Sequence, residues 1–236
     1  IGRIILLTKD LKMRGLFVTG TGTDIGKTYV SAAIARELTK KNLKLAYYKA
    51  AVSGSDCIEH SDAGYVRDHA NIKQSTESLL SYLYEKPLSP HLAGRGENRF
   101  AKLDKILEKF NALRDNYDYV LSEGAGGIIC PVVWEKDSHL MYLDILKAMK
   151  LPCVVVADAG LGTINHTVLT ISYLNANDVK VQGVILNKFD KNSIMHQDNL
   201  SMIEQISNVK VIATLADGKQ DLELLDKNME DYFDEF

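Results

Sequence analysis

The residues with the clearest chemical potential are Gly20-Thr21-Gly22-Thr23-Asp24-Ile25-Gly26-Lys27-Thr28. They lie between a short apolar run and a segment of helical periodicity. Glycines let the backbone curl so that its N–H groups point at an anion, and a helix N-terminus adds the positive end of a dipole. Lys27 would reach the terminal phosphates of a nucleoside triphosphate, and Thr28 would offer its hydroxyl to Mg2+. Five residues separate Gly20 from Gly26, one more than the common phosphate-loop pattern. A glycine-rich turn with a chance lysine is the plainer alternative, but it leaves the strand–loop–helix context unexplained.

Other polar residues fall at expected strand ends. Lys49 is expected to close a strand before Ser53-Gly54-Ser55. There it would neutralise charge on a transferring phosphoryl group, although most lone lysines simply sit at the surface. Glu123 ends another strand and precedes Gly124-Ala125-Gly126-Gly127. A carboxylate at that edge suits Mg2+, which takes carboxylate and phosphate oxygens. Asp62 follows Ser61 at a helix start, so helix capping competes with any metal role. Asp158 ends a further strand and could equally face the site. Leu161-Gly162-Thr163-Ile164-Asn165 opens a helix whose free N–H groups could take a carboxylate, with Thr163 as its cap. Asn187 could pair with a purine through its amide, or act only as a turn residue.

The elements that must position these groups alternate along the chain. Apolar runs at 16–19, 43–49, 117–123, 153–158, 181–187 and 210–215 read as strands. Helical spacing is expected over 28–40, 62–70, 100–113, 139–149, 163–175 and 193–207. Continuous apolar strands between helices imply a mostly parallel sheet covered on both faces, an α/β single domain that binds ligands at the carboxyl ends of its strands.

Bulk properties agree with one domain. The 236 residues are 46% hydrophobic and 25% charged, and the formal charge of −3 gives no footprint for nucleic acid or an anionic membrane. No apolar run approaches a bilayer span. Cys57, Cys130 and Cys153 lack metal-ligand spacing, and the six histidines share none, so no zinc site is expected. Such scattered thiols suit a cytoplasmic protein. Residues 1–12 are read as an extension or leader, 13–216 as the domain, and 217–236 as a solvated tail, since eight acidic residues there face two lysines.

Taken together, Gly20–Thr28, Tyr48-Lys49, Ser53-Gly54-Ser55, Ser61-Asp62, Pro87-Leu88-Ser89-Pro90-His91, Glu123–Gly127, Leu161–His166 and Asn187 resemble the dethiobiotin synthetases, including their wider phosphate loop. The resemblance implies a P-loop nucleoside triphosphate hydrolase fold. It implies an ATP-dependent ligase that joins CO2 to 7,8-diaminononanoate through a carbamate and a carbamic-phosphoric anhydride. By this resemblance Lys27, Lys49 and Thr23 are catalytic, and Mg2+ is held by Thr28, Asp62 and Glu123. ATP is contacted by Gly22, Thr23, Asp24, Ile25, Gly26, Lys27, Thr28, Tyr29, Glu123, Asn187, Ala213 and Leu215. The diamine and carbamate site takes Thr23, Lys49, Ser53, Ser89 and Gly126. Leu161, Gly162, Thr163 and Asn165 of a second subunit hold the substrate carboxylate, so the resemblance implies a homodimer. The chain departs from the family with Ala50 in place of a proline, Asp24 in place of a glutamate, and no Gly-x-Ile-Pro near 211–215.

Two other readings stand beside this one. Cobyrinic acid amidation enzymes share a related nucleotide domain but add a glutaminase domain, for which this chain is too short. A ParA- or MinD-like ATPase switch usually carries a second lysine early in the phosphate loop, and residues 20–25 contain none.

Overall fold

The computed structural model describes residues 13–236, so the expected leader at 1–12 lies outside the described residues. The chain runs β1 (Arg14–Gly20), α1 (Lys27–Lys40), β2 (Leu45–Ser53), α2 (Asp62–His69), β3 (Leu80–Tyr84), α3 (Pro90–Gly96), α4 (Leu103–Asn111) and β4 (Tyr119–Glu123). It continues through β5 (Pro131–Glu135), β6 (Ser138–Met141), α5 (Tyr142–Met149), β7 (Cys153–Asp158), α6 (Thr163–Ala176), β8 (Val181–Asn187), α7 (Ile194–Ser207), β9 (Val211–Leu215), β10 (Glu223–Leu224) and β11 (Asp234–Glu235). The main sheet has the order β10-β9-β8-β7-β1-β4-β2-β3, and β11 adds to β1. From β9 to β3 every pairing is parallel, while β10 and β11 join antiparallel.

The continuous apolar runs do what such runs require, burying both faces of the sheet. Phe17, Tyr48, Val120 and Val155 point into a core closed by Ile106 and Phe110 of α4, Leu146 of α5, and Ile171 of α6. Their neighbours Leu16, Val18, Tyr47, Leu121 and Val154 point the other way, against Val30, Ile34 and Leu38 of α1 and Val66 of α2. β1 lies between β4 and β7; the chain leaves it through α1 to β2 on one side and, after β4, crosses to β7 on the other. A parallel sheet opens a ligand crevice at such a point, at the carboxyl ends of the strands.

Several expectations need correction. The strand expected to stop at Lys49 runs on to Ser53, because 50–53 pair with β3, a strand whose brief apolar pattern at Leu80–Tyr84 is not legible as one. The helix expected over 139–149 begins at Tyr142. Its first residues belong instead to β6, which forms a hairpin with β5, and the Asp144 carboxylate accepts the Met141 N–H at 2.8 Å to start the helix. The helix expected over 100–113 shortens to α4 plus a 3-10 turn at Ala112–Asp115.

The acidic tail is not a frayed appendage. Met229, Tyr232 and Phe233 are buried against the α1/α2 face, and each fully buried side chain of this kind is worth about 1.5–3 kcal/mol. β11 pairs with Arg14 and Gly15 of β1, before the β7 pairing begins at Phe17. The acidic residues face basic ones. Glu230 pairs with Lys41 at 2.6 Å, and Asp221 lies 2.8 Å from Lys40 and 3.2 Å from Arg36. Charge density alone suggested solvation. The intervening apolar residues decided docking.

Candidate active site

The phosphate loop connects β1 to α1 over an unusual backbone. Asp24 and Gly26 both take left-handed φ angles, 59° and 89°. At Gly26 a Cβ would lie 2.1 Å from Asn187 Nδ2, so only glycine fits. Asn187 ends β8 and donates from Nδ2 to the Ile25 carbonyl at 3.0 Å, which fixes the loop from the far side of β1. The Lys27 ammonium folds back over the loop to the Gly22 carbonyl at 2.7 Å. Burial pushes the Lys27 amine below its ordinary pKa, against an upward pull from Glu123. An anion seated in the loop would relieve that cost.

Beside the loop, four elements bring one charge network together, buried at Lys49 and Glu123 and open to the cleft at Asp62. Glu123 at the end of β4 is fully buried. Its Oε1 accepts from Thr28 Oγ1 at 2.9 Å and from Lys49 Nζ at 2.7 Å, and its Oε2 accepts from the Tyr47 hydroxyl at 2.9 Å. Lys49 also donates to Asp62 Oδ2 at 2.5 Å. Lys49 is only 3% exposed, which rules out the surface-lysine reading. Burial opposes its charge, but Glu123 and Asp62 outweigh that penalty and raise its pKa. Burial would raise the Asp62 carboxyl, yet Lys49 pulls it below the usual value. Ser61, not Asp62, caps α2, its Oγ accepting from the Ala63 N–H at 3.2 Å. The capping role and the charged role therefore fall to separate residues.

A cleft of about 960 Å³ opens over this network. Thr23, Asp24, Gly26, Lys27, Thr28 and Tyr29 line one side, Lys49 and Asp62 the floor, and Ser53, Ser89 and Gly126 the other end. Ser53 Oγ donates to the Leu88 carbonyl at 2.6 Å, drawing the 87–90 segment over the end of β2. Gly126 adopts φ 61° in the glycine turn after Glu123, with Cys130 and Thr23 flanking the space its missing side chain leaves. Cys130 also faces the cleft, its thiol pushed up to about 11 by burial.

Other expected residues lie elsewhere on the same edge. Leu161, Gly162, Thr163 and Asn165 begin α6 after β7, outside the cleft lining, with Leu161 92% exposed. Gly162 rather than Thr163 occupies the cap position, and the Thr163 hydroxyl faces Thr167 at 3.4 Å. Asp158 turns away from the cleft, accepting from the Gly160 N–H and pairing with Lys188 at 3.2 Å. Ala213 is buried inside β9, paired with Ile185 on one side and Leu224 on the other, while Leu215 ends that strand opposite Asn187.

Sequence reasoning missed Tyr47 and Gln74. Tyr47 precedes Lys49 by two residues on β2 and so shares its face, a period-2 signal that was open to reading. Gln74 brackets the Tyr47 backbone, accepting its N–H at 2.8 Å and donating to its carbonyl at 3.0 Å. No sequence signal links Gln74 to this strand.

A family profile described as an AAA domain matches residues 14–220. The chain is 44% identical over 221 residues to an ATP-dependent dethiobiotin synthetase BioD from Brachyspira hyodysenteriae, covering 94% of this chain and 99% of that protein. It is 40% identical to the protein of the same name from Clostridium botulinum strain Alaska E43, covering 94% and 98%. Among solved structures, a ParA family ATPase from Chlorobium tepidum aligns with a TM-score of 0.54 at 13% identity, covering 87% of this chain and 84% of that one. The MinC:MinD cell division complex from Aquifex aeolicus aligns at 0.53 and 17% identity, covering 86% and 80%. These structural likenesses establish the phosphate-loop fold alone. The near full-length identity, on a chain whose phosphate loop, Lys49 and Asp62 line one cleft, shows that it belongs to the ATP-dependent dethiobiotin synthetase family.

Proposed function

We propose that this chain is an ATP-dependent dethiobiotin synthetase of biotin biosynthesis, a cyclo-ligase whose chemistry runs in the cleft between the phosphate loop and the 87–90 and 124–127 turns. The observation that carries the reading is the convergence of Thr28, Lys49 and Asp62 around buried Glu123 at one end of that cleft. The substrates on this reading are ATP, CO2 and 7,8-diaminononanoate. One amine of the diamine attacks CO2, forming a C–N bond and releasing a proton to give the carbamate. A carbamate oxygen then takes the γ-phosphoryl group, and ADP leaves. The second amine attacks the carbamoyl carbon, expels phosphate, loses a proton and closes the cyclic urea. Nothing covalent is asked of the protein, so positioning and charge stabilisation suffice.

The side chains take roles accordingly. Lys27 leaves the Gly22 carbonyl for the ATP phosphates. Lys49, held charged by two carboxylates, stabilises negative charge on the carbamate and the phosphoryl group in transfer; such a donor is worth on the order of 10²–10³ in rate. Thr23, Ser53, Ser89 and Gly126 shape the diamine and carbamate end. Thr28, Asp62 and Glu123 present only oxygen donors, which suits Mg2+, and Thr28 already lies 2.9 Å from Glu123. Bound Mg2+ would neutralise charge on the nucleotide phosphates. Asn187, at the edge beside Leu215, is assigned to the adenine side.

A homodimer completes this reading. The α6 start is exposed on the same sheet edge but outside the cleft, as a group serving a neighbouring subunit would be. A cytoplasmic location goes with it, supported by three unpaired cysteines. Among the described residues no helix is long and apolar enough to cross a membrane.

The deciding experiment incubates the protein with Mg-ATP, labelled bicarbonate and the diamine. Label recovered in a cyclic urea supports the synthetase. ATP hydrolysis that ignores the diamine would favour a nucleotide switch, the alternative consistent with the ParA-like fold.

A further inference from the structure

Between β2 and α2 the chain runs Gly54-Ser55-Asp56-Cys57-Ile58-Glu59-His60-Ser61, reaching the cleft at His60. Short hydrogen bonds hold the segment. The Gly54 N–H donates to the Tyr84 carbonyl at 2.9 Å, Ser55 Oγ to the Cys57 carbonyl at 2.8 Å, and Ser61 Oγ to the Ile58 carbonyl at 2.6 Å. This turn brings a carboxylate oxygen of Asp56, the sulfur of Cys57 and a ring nitrogen of His60 within 4.8 Å of one another. His60 Nδ1 lies 3.2 Å from Asp56 Oδ1, and both side chains are more than two-thirds exposed, at 73% and 78%.

We propose that Asp56, Cys57 and His60 form a binding site for a borderline-soft divalent cation, Zn2+ above all, at the rim of the cleft and separate from the oxygen donors Thr28, Asp62 and Glu123. The donor set is mixed sulfur, nitrogen and oxygen, which selects Zn2+ over Mg2+. Three protein ligands leave the fourth tetrahedral position to water. The Zn2+ bonds need about 2.0–2.3 Å. Exposed side chains on a hydrogen-bonded turn can close that distance by rotation without disturbing the core.

The local charge also calls for a cation. Residues 53–66 carry Asp56, Glu59 and Asp62 but no lysine or arginine; Arg67, just beyond, pairs with Asp68 and reaches Glu59, and nearby Lys49 is engaged by Asp62 and Glu123, which leaves Asp56 with only the His60 ion-pair contact among the described residues. Binding of a divalent ion forms a metal–sulfur bond, breaks the S–H bond and sends the proton to solvent. The existing exposed His60–Asp56 contact is worth little by itself, so little is lost when the metal replaces it.

The test titrates the full chain with Co2+ in the absence of nucleotide and reads the thiolate-to-cobalt charge-transfer band. The expected result is one equivalent bound, displaced by Zn2+, with the band abolished in Cys57→Ser and the affinity at least about tenfold weaker in His60→Ala. Cys130 and Cys153 are buried, so Zn2+ should also slow alkylation at Cys57 alone, mapped by peptide mass. Mg-ATP binding should be unchanged in Cys57→Ser, which also reports that the variant folds. Absence of the band in the native protein, its survival in Cys57→Ser, or unprotected alkylation of Cys57 would overturn the proposal. None of these readouts depends on synthetase turnover.

Discussion

The two flanks of β1 on one sheet edge are built differently. Toward β4 and β2, the charges satisfy one another before any ligand arrives: buried Lys49 bridges buried Glu123 and half-exposed Asp62, and Thr28 and Tyr47 complete the Glu123 carboxylate. Toward β7 and β8, Asp158 and Lys188 pair at the strand ends, and the loop and helices beyond them carry exposed apolar side chains, Leu161, Leu169 and Ile194 at 92%, 61% and 85% exposure. On the proposed reading, the first flank is preorganised for phosphoryl transfer. On the proposed reading, the second becomes complete only against another copy of the chain.

The largest expected effect breaks the first flank. Lys49→Ala should lose turnover by on the order of 10²–10³, while ATP still binds through the phosphate loop. It also leaves Glu123 with one fewer partner, and uncompensated buried charge costs about 3–5 kcal/mol. Nucleotide binding should therefore be measured by calorimetry alongside turnover. Near-normal turnover would remove Lys49 from the chemistry.

Glu123→Gln comes next, with Mg2+-dependent ATP binding weakened by about tenfold, equal to about 1.4 kcal/mol. An unchanged Mg2+ titration would sink the metal assignment. Tyr47→Phe should move the same titration in the same direction by less, because it removes the hydrogen bond to Oε2 and leaves the oxygens proposed to hold Mg2+ in place.

A charge on the open flank sharpens the contrast. Leu169→Asp with Ile194→Asp should shift the protein toward monomer in light scattering and lower diamine-dependent turnover, with ATP binding preserved. A fully active monomer would contradict a site shared between subunits.

The smallest effect is the pH dependence of stability. Asp62 is held below its ordinary 3.8, so its contribution is present above that value and lost as pH falls through the lower folded-state value. Lys49 is held above 10.5, so its contribution is complete below that value and lost as pH rises through the higher one. Denaturant midpoints should therefore form a plateau with two falling limbs, the acid limb shallow because Asp62 is 49% exposed. Lys49→Met should flatten both. Limbs unchanged in that variant would separate the pH response from this network.

Much of this was legible beforehand because it is local. Gly26, Lys27 and Thr28 announce an anion site through backbone freedom and a helix start, and the apolar runs announce a covered parallel sheet. The depth of Lys49 was not legible, since its burial depends on β3 pairing beyond it. Nor was the docking of the tail, where Met229, Tyr232 and Phe233 outweigh eight acidic residues. Tyr47 stood within reach of a period-2 reading, whereas Gln74 did not.

The sequence by itself determined the loop, the identities of the charged residues and the alternation of strands and helices, because these follow from short-range sterics and periodicity. Only the tertiary structure decided which charges meet. Thr28, Lys49, Asp62 and Glu123 come from four separate elements, and whether their charges cancel or clash depends on distances set by sheet order and register.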